Sequence, residues 1–190
     1  MSAKRNQGKL TEPIGPQDHI QGPETAPITL VEYGDFECPH SRRAVTIVQS
    51  IQDQLGDQIR FVFRHFPLTK HPHARQASEA AEAAAAQGKF WEMYDQLFKN
   101  QYELEEEDLV AYADELGLDM RRFSQDLKRH AHAGRVEEDI RSGSESGVTG
   151  TPDFFINGIL HTGDYDFDSL MAAIERTGLL ERGRESRRAS

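Results

Sequence analysis

The first run of mainly β-branched and apolar positions begins at residue 28. Residues 28–33 belong to this run, apart from Glu32, and predict a strand. Gly34 and Asp35 interrupt this run, and a proline at position 39 suits the first turn of a helix that continues to about residue 55. Alternation over 58–66 then predicts a strand with one buried face. A strand, a helix and a strand in this order indicate a βαβ unit with a parallel pair.

The apolar spacing becomes helical over residues 68–147. Asp119 is placed to cap one of four or five predicted helices. Four glycines in this region stand where helices could end: Gly88, Gly117, Gly134 and Gly147. The pattern therefore predicts an inserted helical subdomain over these 80 positions.

The strand pattern returns near the C-terminal end of the chain. Residues 154–162 predict a β-hairpin whose two-residue turn is Asn157-Gly158. Either Asp166 or Asp168 is placed to cap a final helix. The chain is thus expected to end its folded part as a ββα unit.

The two ends of the chain lack these patterns. Residues 1–27 are rich in Gly, Pro, Gln and charged side chains and have no apolar signal-peptide core, so we predict a flexible leader. Residues 181–190 are predicted to be a solvated tail. Between them, 28–67 and 148–180 are predicted to form one α/β domain, with 68–147 inserted as the helical subdomain.

Composition restricts the class of partner. The formal net charge of −10 argues against nucleic acid or an anionic membrane surface as the main partner. No apolar run reaches the roughly 18–20 residues that a membrane span needs. A single cysteine cannot form a disulfide framework and favours a cytoplasmic location. We expect a monomer or a homodimer, including one linked through Cys38.

Cys38 lies where the first predicted strand has ended and the next helix begins. Backbone N–H groups and the positive end of the helix dipole stabilise an anion at this place, so a thiol there is expected to ionise readily. A protonated His40 would favour the thiolate further. Because the thiolate is the nucleophilic form, the sequence predicts a reactive Cys38. The alternative is a buried, inert thiol, which is common for free cysteines.

The segment from Phe36 to Ser41, Phe-Glu-Cys-Pro-His-Ser, resembles the active-site turn Phe-x-Cys-Pro-x-Cys of the DsbA-like branch of the thioredoxin superfamily. A second resemblance is Gly-Thr-Pro at 150–152, followed by two aromatic residues and Asn-Gly. Together the two motifs place about 27–177 within the resemblance. It implies a thioredoxin-like fold, βαβ followed by ββα, with a helical insertion between the halves.

The resemblance also implies a set of site residues. Those with catalytic roles are Cys38, Pro39, His40 and Ser41. Those expected to bind substrate are Thr151, Pro152 and Phe36. In the family this proline follows a cis peptide bond, and the backbone before it would be presented to an extended peptide or glutathione. An ordinary trans proline at a strand entry is the alternative.

Ser41 departs from the family motif, which has a second cysteine at this position. A hydroxyl can donate a hydrogen bond to the Cys38 thiolate but cannot attack a mixed disulfide. We therefore predict a thiol-disulfide oxidoreductase that works through one cysteine. Its expected partners are glutathione and disulfide-containing peptides or proteins, with glutathione as co-substrate and no tightly bound cofactor.

Other functions are compatible with the same residues. A glutathione transferase of the kappa type shares the fold and carries serine at its active-site turn, although Ser41 stands at the last position of the motif rather than the first. Loss of the second cysteine also suits a non-catalytic binding module. No metal site is expected, because the spacing of the candidate ligands His65, His71 and His73 matches no strong metal motif.

Overall fold

The computed structural model describes residues 8–180, which form five β-strands and seven α-helices. The strands are β1 His19–Gln21, β2 Ile28–Gly34, β3 Ile59–His65, β4 Asp153–Ile156 and β5 Ile159–Leu160. The helices are α1 Pro39–Leu55, α2 Ala74–Ala85, α3 Phe90–Lys99, α4 Glu106–Glu115, α5 Met120–Lys128, α6 Ala133–Ser146 and α7 Phe167–Arg176. Over this part of the chain, no helix has both the length and the apolar character required to cross a membrane.

The strands form one sheet in the order β1-β3-β2-β4-β5. All seven residues of β2 are buried, and β2 is the central strand, between β3 and β4. Strand β4 runs antiparallel to β2, with Phe154 opposite Glu32. The predicted hairpin turn is confirmed, since Asn157 and Gly158 have φ values of 48° and 80°, the left-handed region that a tight two-residue turn requires.

The described residues divide into two compact units. The first contains 8–33, 43–64 and 142–180 and holds most of the sheet, most of α1 and all of α7. One of its largest fully buried side chains, Ile51, comes from α1. The others come from the strands: Ile28, Leu30, Tyr33, Ile59, Phe61, Phe63, Phe154 and Phe155. Helix α7 starts at an N-cap, Asp166, whose side chain accepts a hydrogen bond from the backbone of Ser169.

The segment before β2 differs from the predicted flexible leader. Residues 1–7 lie outside the described residues, but β1 forms within 8–27 and pairs with β3. The side chain of Arg64 holds the segment, with Nε 2.7 Å from Oδ1 of Asp18 and Nη2 2.9 Å from Oδ2. It also donates to the carbonyls of Glu12 and Pro13. These contacts order a stretch whose composition alone indicates disorder. The predicted tail, 181–190, also lies outside the described residues.

The second unit contains residues 34–42 and 65–141. Helix α2 packs against α3, α4 and α5. The apolar face of α3 is buried there, contributing Phe90, Met93, Tyr94, Leu97 and Phe98. The sequence predicted a helical subdomain over 68–147. The second compact unit has different bounds and includes 34–42, because the turn that carries Cys38 hydrogen-bonds to the helical residues.

Candidate active site

The turn between β2 and α1 places Cys38 at the start of a helix. Its backbone N–H donates to the carbonyl of Asp35 at 3.1 Å, which closes the turn. Its carbonyl accepts a hydrogen bond from the backbone N–H of Arg42, also at 3.1 Å. This is the first hydrogen bond of α1, so Cys38 occupies the N-cap position. The sequence predicted this placement from the breaking Gly-Asp pair and the proline.

The carboxylate of Asp35 organises the turn from inside. Asp35 is fully buried, and its Oδ1 accepts from the backbone N–H of Glu37 at 2.8 Å. Its Oδ2 accepts from the backbone N–H of Leu68 at 2.9 Å and lies 2.7 Å from Nδ1 of His71. A buried charge needs such partners. Asp35 therefore links the Cys38 turn to the segment that leads into α2.

Glu37 makes a second link to the same segment. One of its carboxylate oxygens accepts from the backbone N–H of His73 at 2.7 Å, and the other lies 3.0 Å from Nδ1 of that histidine. Nε2 of His73 lies 3.1 Å from Glu105 at the start of α4. The hydrogen bond to Glu37 is the main cause that raises the pKa of His73, and the negative charges of Glu37 and Glu105 add to it.

Gln101 reaches the turn from the loop between α3 and α4. Its Nε2 donates to the carbonyl of Phe36 and to the carbonyl of Cys38, both at 2.8 Å. The residue is only 2% exposed. Its Oε1 is buried and has no hydrogen-bond partner among residues 8–180. The sequence pattern contains no signal for this contact, because Gln101 is 63 residues from Cys38.

The four predicted catalytic residues are in the turn but differ in exposure. Pro39 and His40 are exposed, whereas Cys38 is 2% exposed and Ser41 is fully buried. Oγ of Ser41 accepts a hydrogen bond from the backbone N–H of Asp35 at 3.2 Å. In this bond the Ser41 hydroxyl is an acceptor, so a hydrogen bond donated by Ser41 to the sulfur stays a prediction.

Phe36 is fully buried, which corrects its predicted role in substrate binding. Its ring centroid lies 4.9 Å from that of Phe98 and 5.9 Å from that of Tyr94. Such tilted and edge-on contacts are favourable for aromatic pairs. Phe36 therefore anchors the turn in the aromatic core of α3 and has no surface available for a substrate.

The other two predicted substrate-binding residues, Thr151 and Pro152, belong to the first compact unit. The peptide bond between them is cis, the isomer that the family resemblance implies. Pro152 is buried and Thr151 is partly exposed at the entry to β4. Their role towards a substrate stays a prediction.

Four side chains shape the turn in ways that the sequence pattern does not predict: Asp35, Glu37, His71 and His73. The pattern gives Asp35 only the interruption of the first strand and gives Glu37 no role of its own, and it offers the two histidines only as candidate metal ligands. The third histidine of that set, His65, is fully buried with Nε2 2.8 Å from Glu82. Each of the three histidines thus has a different carboxylate as neighbour.

Comparison with known proteins gives the family. A family model described as thioredoxin matches residues 15–176. Over 167 residues the chain is 47% identical to the Na(+)/H(+) antiporter NhaA 3 of Salinispora tropica. The matched region covers 87% of this chain and 26% of that protein. The chain thus spans about a quarter of the length of the curated relatives it matches.

Solved structures show the same fold. A thioredoxin-like oxidoreductase from Silicibacter pomeroyi is 27% identical with a TM-score of 0.76, covering 86% of this chain and 93% of that one. BdbD from Bacillus subtilis is 24% identical with a TM-score of 0.78, covering 93% and 100%. Alpha-DsbA1 from Wolbachia pipientis is 21% identical with a TM-score of 0.74, covering 93% and 97%. With its family match and its Cys38 turn at the start of α1, this chain belongs to the thioredoxin family and has the DsbA-like form of its fold.

Proposed function

We propose that this protein is a thiol-disulfide oxidoreductase that works through Cys38 alone, with glutathione as the thiol that completes the cycle. The observation that carries the proposal is the position of Cys38 at the N-cap of α1, with Ser41 where the family motif has its second cysteine. A thiol at a helix N-terminus is placed to act as a thiolate. The neighbouring hydroxyl cannot displace a disulfide.

The proposed cycle has two exchange steps. The Cys38 thiolate attacks the glutathione sulfur of a mixed disulfide, so that a Cys38–glutathione disulfide forms and the substrate sulfur leaves as a thiolate. The thiolate of a second glutathione then attacks the glutathione sulfur of that disulfide. Oxidised glutathione leaves and the Cys38 thiolate is restored. The net reaction converts one mixed disulfide and one glutathione into a free thiol and oxidised glutathione.

The relatives support this proposal only in general terms. A structural neighbour from Wolbachia pipientis is named a thiol-disulfide exchange protein, and another neighbour is named an oxidoreductase. The curated relatives are named antiporters, a name that describes proteins about four times as long as the shared region. The expected partners, the oligomeric state and the cytoplasmic location stay predictions.

The test is turnover of the mixed disulfide of glutathione and 2-mercaptoethanol, with formation of oxidised glutathione followed through glutathione reductase and NADPH. We expect a rate proportional to protein concentration and abolished in Cys38→Ser. Circular dichroism of Cys38→Ser controls for folding. A wild-type rate equal to the uncatalysed rate would disprove the proposed function.

A second candidate is a binding module without turnover. The observation that favours it is the 2% exposure of Cys38, which is low for a nucleophile that must meet a second sulfur. Mass spectrometry after incubation with oxidised glutathione distinguishes the two functions. An adduct of one glutathione on Cys38 supports the exchange cycle, whereas an unmodified chain in the folded state supports the binding module.

A further inference from the structure

The amide of Gln101 has an unusual combination of contacts. Both hydrogen bonds of its Nε2 go to carbonyls of the Cys38 turn, whereas its buried Oε1 has no partner among the described residues. A buried polar atom without a partner destabilises the folded state. An apolar side chain of similar length would avoid this penalty. The residue is therefore poorly explained as a packing element.

The two hydrogen bonds that Gln101 donates depend on the geometry of an amide group. The carbonyls of Phe36 and Cys38 belong to alternate residues, on either side of Glu37, and one nitrogen with two N–H groups reaches both. A lysine would bring a full charge into a buried place, and a serine has one donor only. Gln101 thus supplies two neutral donors to one turn.

These donors act on the residue that carries the sulfur. The carbonyl of Cys38 also accepts the first hydrogen bond of α1, from Arg42, so Gln101 joins the turn to the helix start. Carbonyl oxygens carry partial negative charge, which disfavours an anion nearby, and the amide hydrogens offset it. A held turn also keeps the N–H groups of the helix start in a fixed orientation.

We propose that Gln101 is a positioning residue that holds the Cys38 turn and favours the thiolate of Cys38. This inference rests on the proposed function, in which Cys38 is the nucleophile. Gln101 itself touches neither the substrate nor the reacting sulfur in this proposal. It acts through the backbone carbonyls of the turn.

The test is the pH dependence of the alkylation rate of Cys38 by iodoacetamide, which reports a single thiol because the chain has one cysteine. In Gln101→Met we expect the pH of half-maximal rate to rise and the alkylation rate at pH 7 to fall. Gln101→Glu removes both N–H donors and adds a negative charge, so its rise is expected to be larger. It also provides a second measurement if Gln101→Met does not fold.

Gln87→Met is the matched control. Gln87 also joins two helix ends, since Nε2 donates to the carbonyl of Asp119 and Oε1 accepts from its backbone N–H. Its hydrogen bonds do not involve the Cys38 turn. We expect Gln87→Met to leave the pH of half-maximal alkylation unchanged. Thermal unfolding of every variant separates a local effect from loss of structure.

The outcomes separate this inference from the proposed function. If the wild type turns over the mixed disulfide and Gln101→Met, still folded, keeps the wild-type pH of half-maximal alkylation, the inference alone fails. A rate reduced by the same factor at every pH would indicate altered access and would also overturn it. If wild-type Cys38 reacts at no pH, both fail. A shift in the Gln101 variants and none in Gln87→Met supports the inference.

Discussion

The backbone N–H of Asp35 donates a hydrogen bond to Oγ of Ser41 at 3.2 Å. This bond joins the entry of the Cys38 turn to the first turn of α1. The hydroxyl of Ser41 is thus a buried acceptor for the turn backbone. Cys38 and Ser41 are three residues apart, the separation of the family motif.

Ser41→Cys is expected to convert the site to a dithiol. The substitution replaces the hydroxyl by a thiol three residues from Cys38, and oxidation should join the two in an intramolecular disulfide. Titration of free thiols in denaturant should then give none after treatment with oxidant and two after reduction. Ser41→Ala, the control, should retain one. Two free thiols in the oxidised, folded Ser41→Cys variant would contradict the geometry of the turn.

The raised pKa of Glu32 predicts that the folded state loses stability as pH rises. The residue is fully buried in β2, neither carboxylate oxygen has a hydrogen-bond partner among residues 8–180, and burial raises its pKa to about 8. Its ordinary pKa is 4.5. Between these two values the folded state binds a proton that the unfolded state has released, so the free energy of unfolding falls as pH rises.

Glu32→Gln tests this effect because it keeps the shape of the side chain and removes the titration. The stability of the variant relative to the wild type should increase from pH 5 to pH 8, by several kcal/mol at about 1.4 kcal/mol per unit of pKa shift. Urea unfolding at a series of pH values measures it. A difference between the two proteins that is constant over this range would show that Glu32 titrates normally.

The raised pKa of His73 gives a dependence of the same sign but from a different cause, the pairing of a histidine with a carboxylate. Its pKa in the folded state is raised above 6.5, chiefly by the hydrogen bond to Glu37. The stabilisation from this pairing is therefore complete below pH 6.5 and is lost as pH rises through the folded-state pKa. In Glu37→Gln we expect the pKa of His73 to fall towards its ordinary value, measured by NMR titration of the imidazole ring.

Glu105→Gln is the matched comparison for this histidine. Glu105 also contacts the ring, at 3.1 Å, but its side chain is 74% exposed and solvent screens the charge. Its effect on the pKa of His73 should therefore be the smaller of the two. An equal or larger effect would place the main partner of His73 at α4 rather than in the Cys38 turn.

Asp18→Asn should strongly destabilise the first compact unit. The side chains of Arg64 and Asp18 are 3% and 6% exposed, and the substitution leaves a buried guanidinium without its counter-charge. Loss of one partner of a buried pair typically costs about 3–5 kcal/mol. Chemical unfolding measures the loss. Glu92→Gln, at the exposed Lys89–Glu92 pair, is the control and should change stability by less than about 0.5 kcal/mol. Similar effects of the two substitutions would disprove a structural role for the buried pair.

Local sequence determined the parts of this fold whose signals lie within a few residues. An apolar run predicted β2 and alternation predicted β3. The Gly-Asp and proline signals predicted the start of α1, and Asn157-Gly158 predicted the hairpin of β4 and β5. Asp119 caps α5 as expected, accepting from the backbone of Arg122. Such signals are readable because turn geometry, helix caps and strand alternation depend on neighbouring residues.

Only the tertiary structure decided the features that depend on contacts between residues far apart in the sequence. The order of 8–27 comes from Arg64, which is 46 residues from Asp18, and the support of the Cys38 turn comes from Gln101, 63 residues away. Phe36 was assigned to the substrate by its motif, yet packing against α3 buries it completely. Burial and long-range hydrogen bonds depend on which helices and strands pack together. This packing does not produce a periodic pattern in the local sequence.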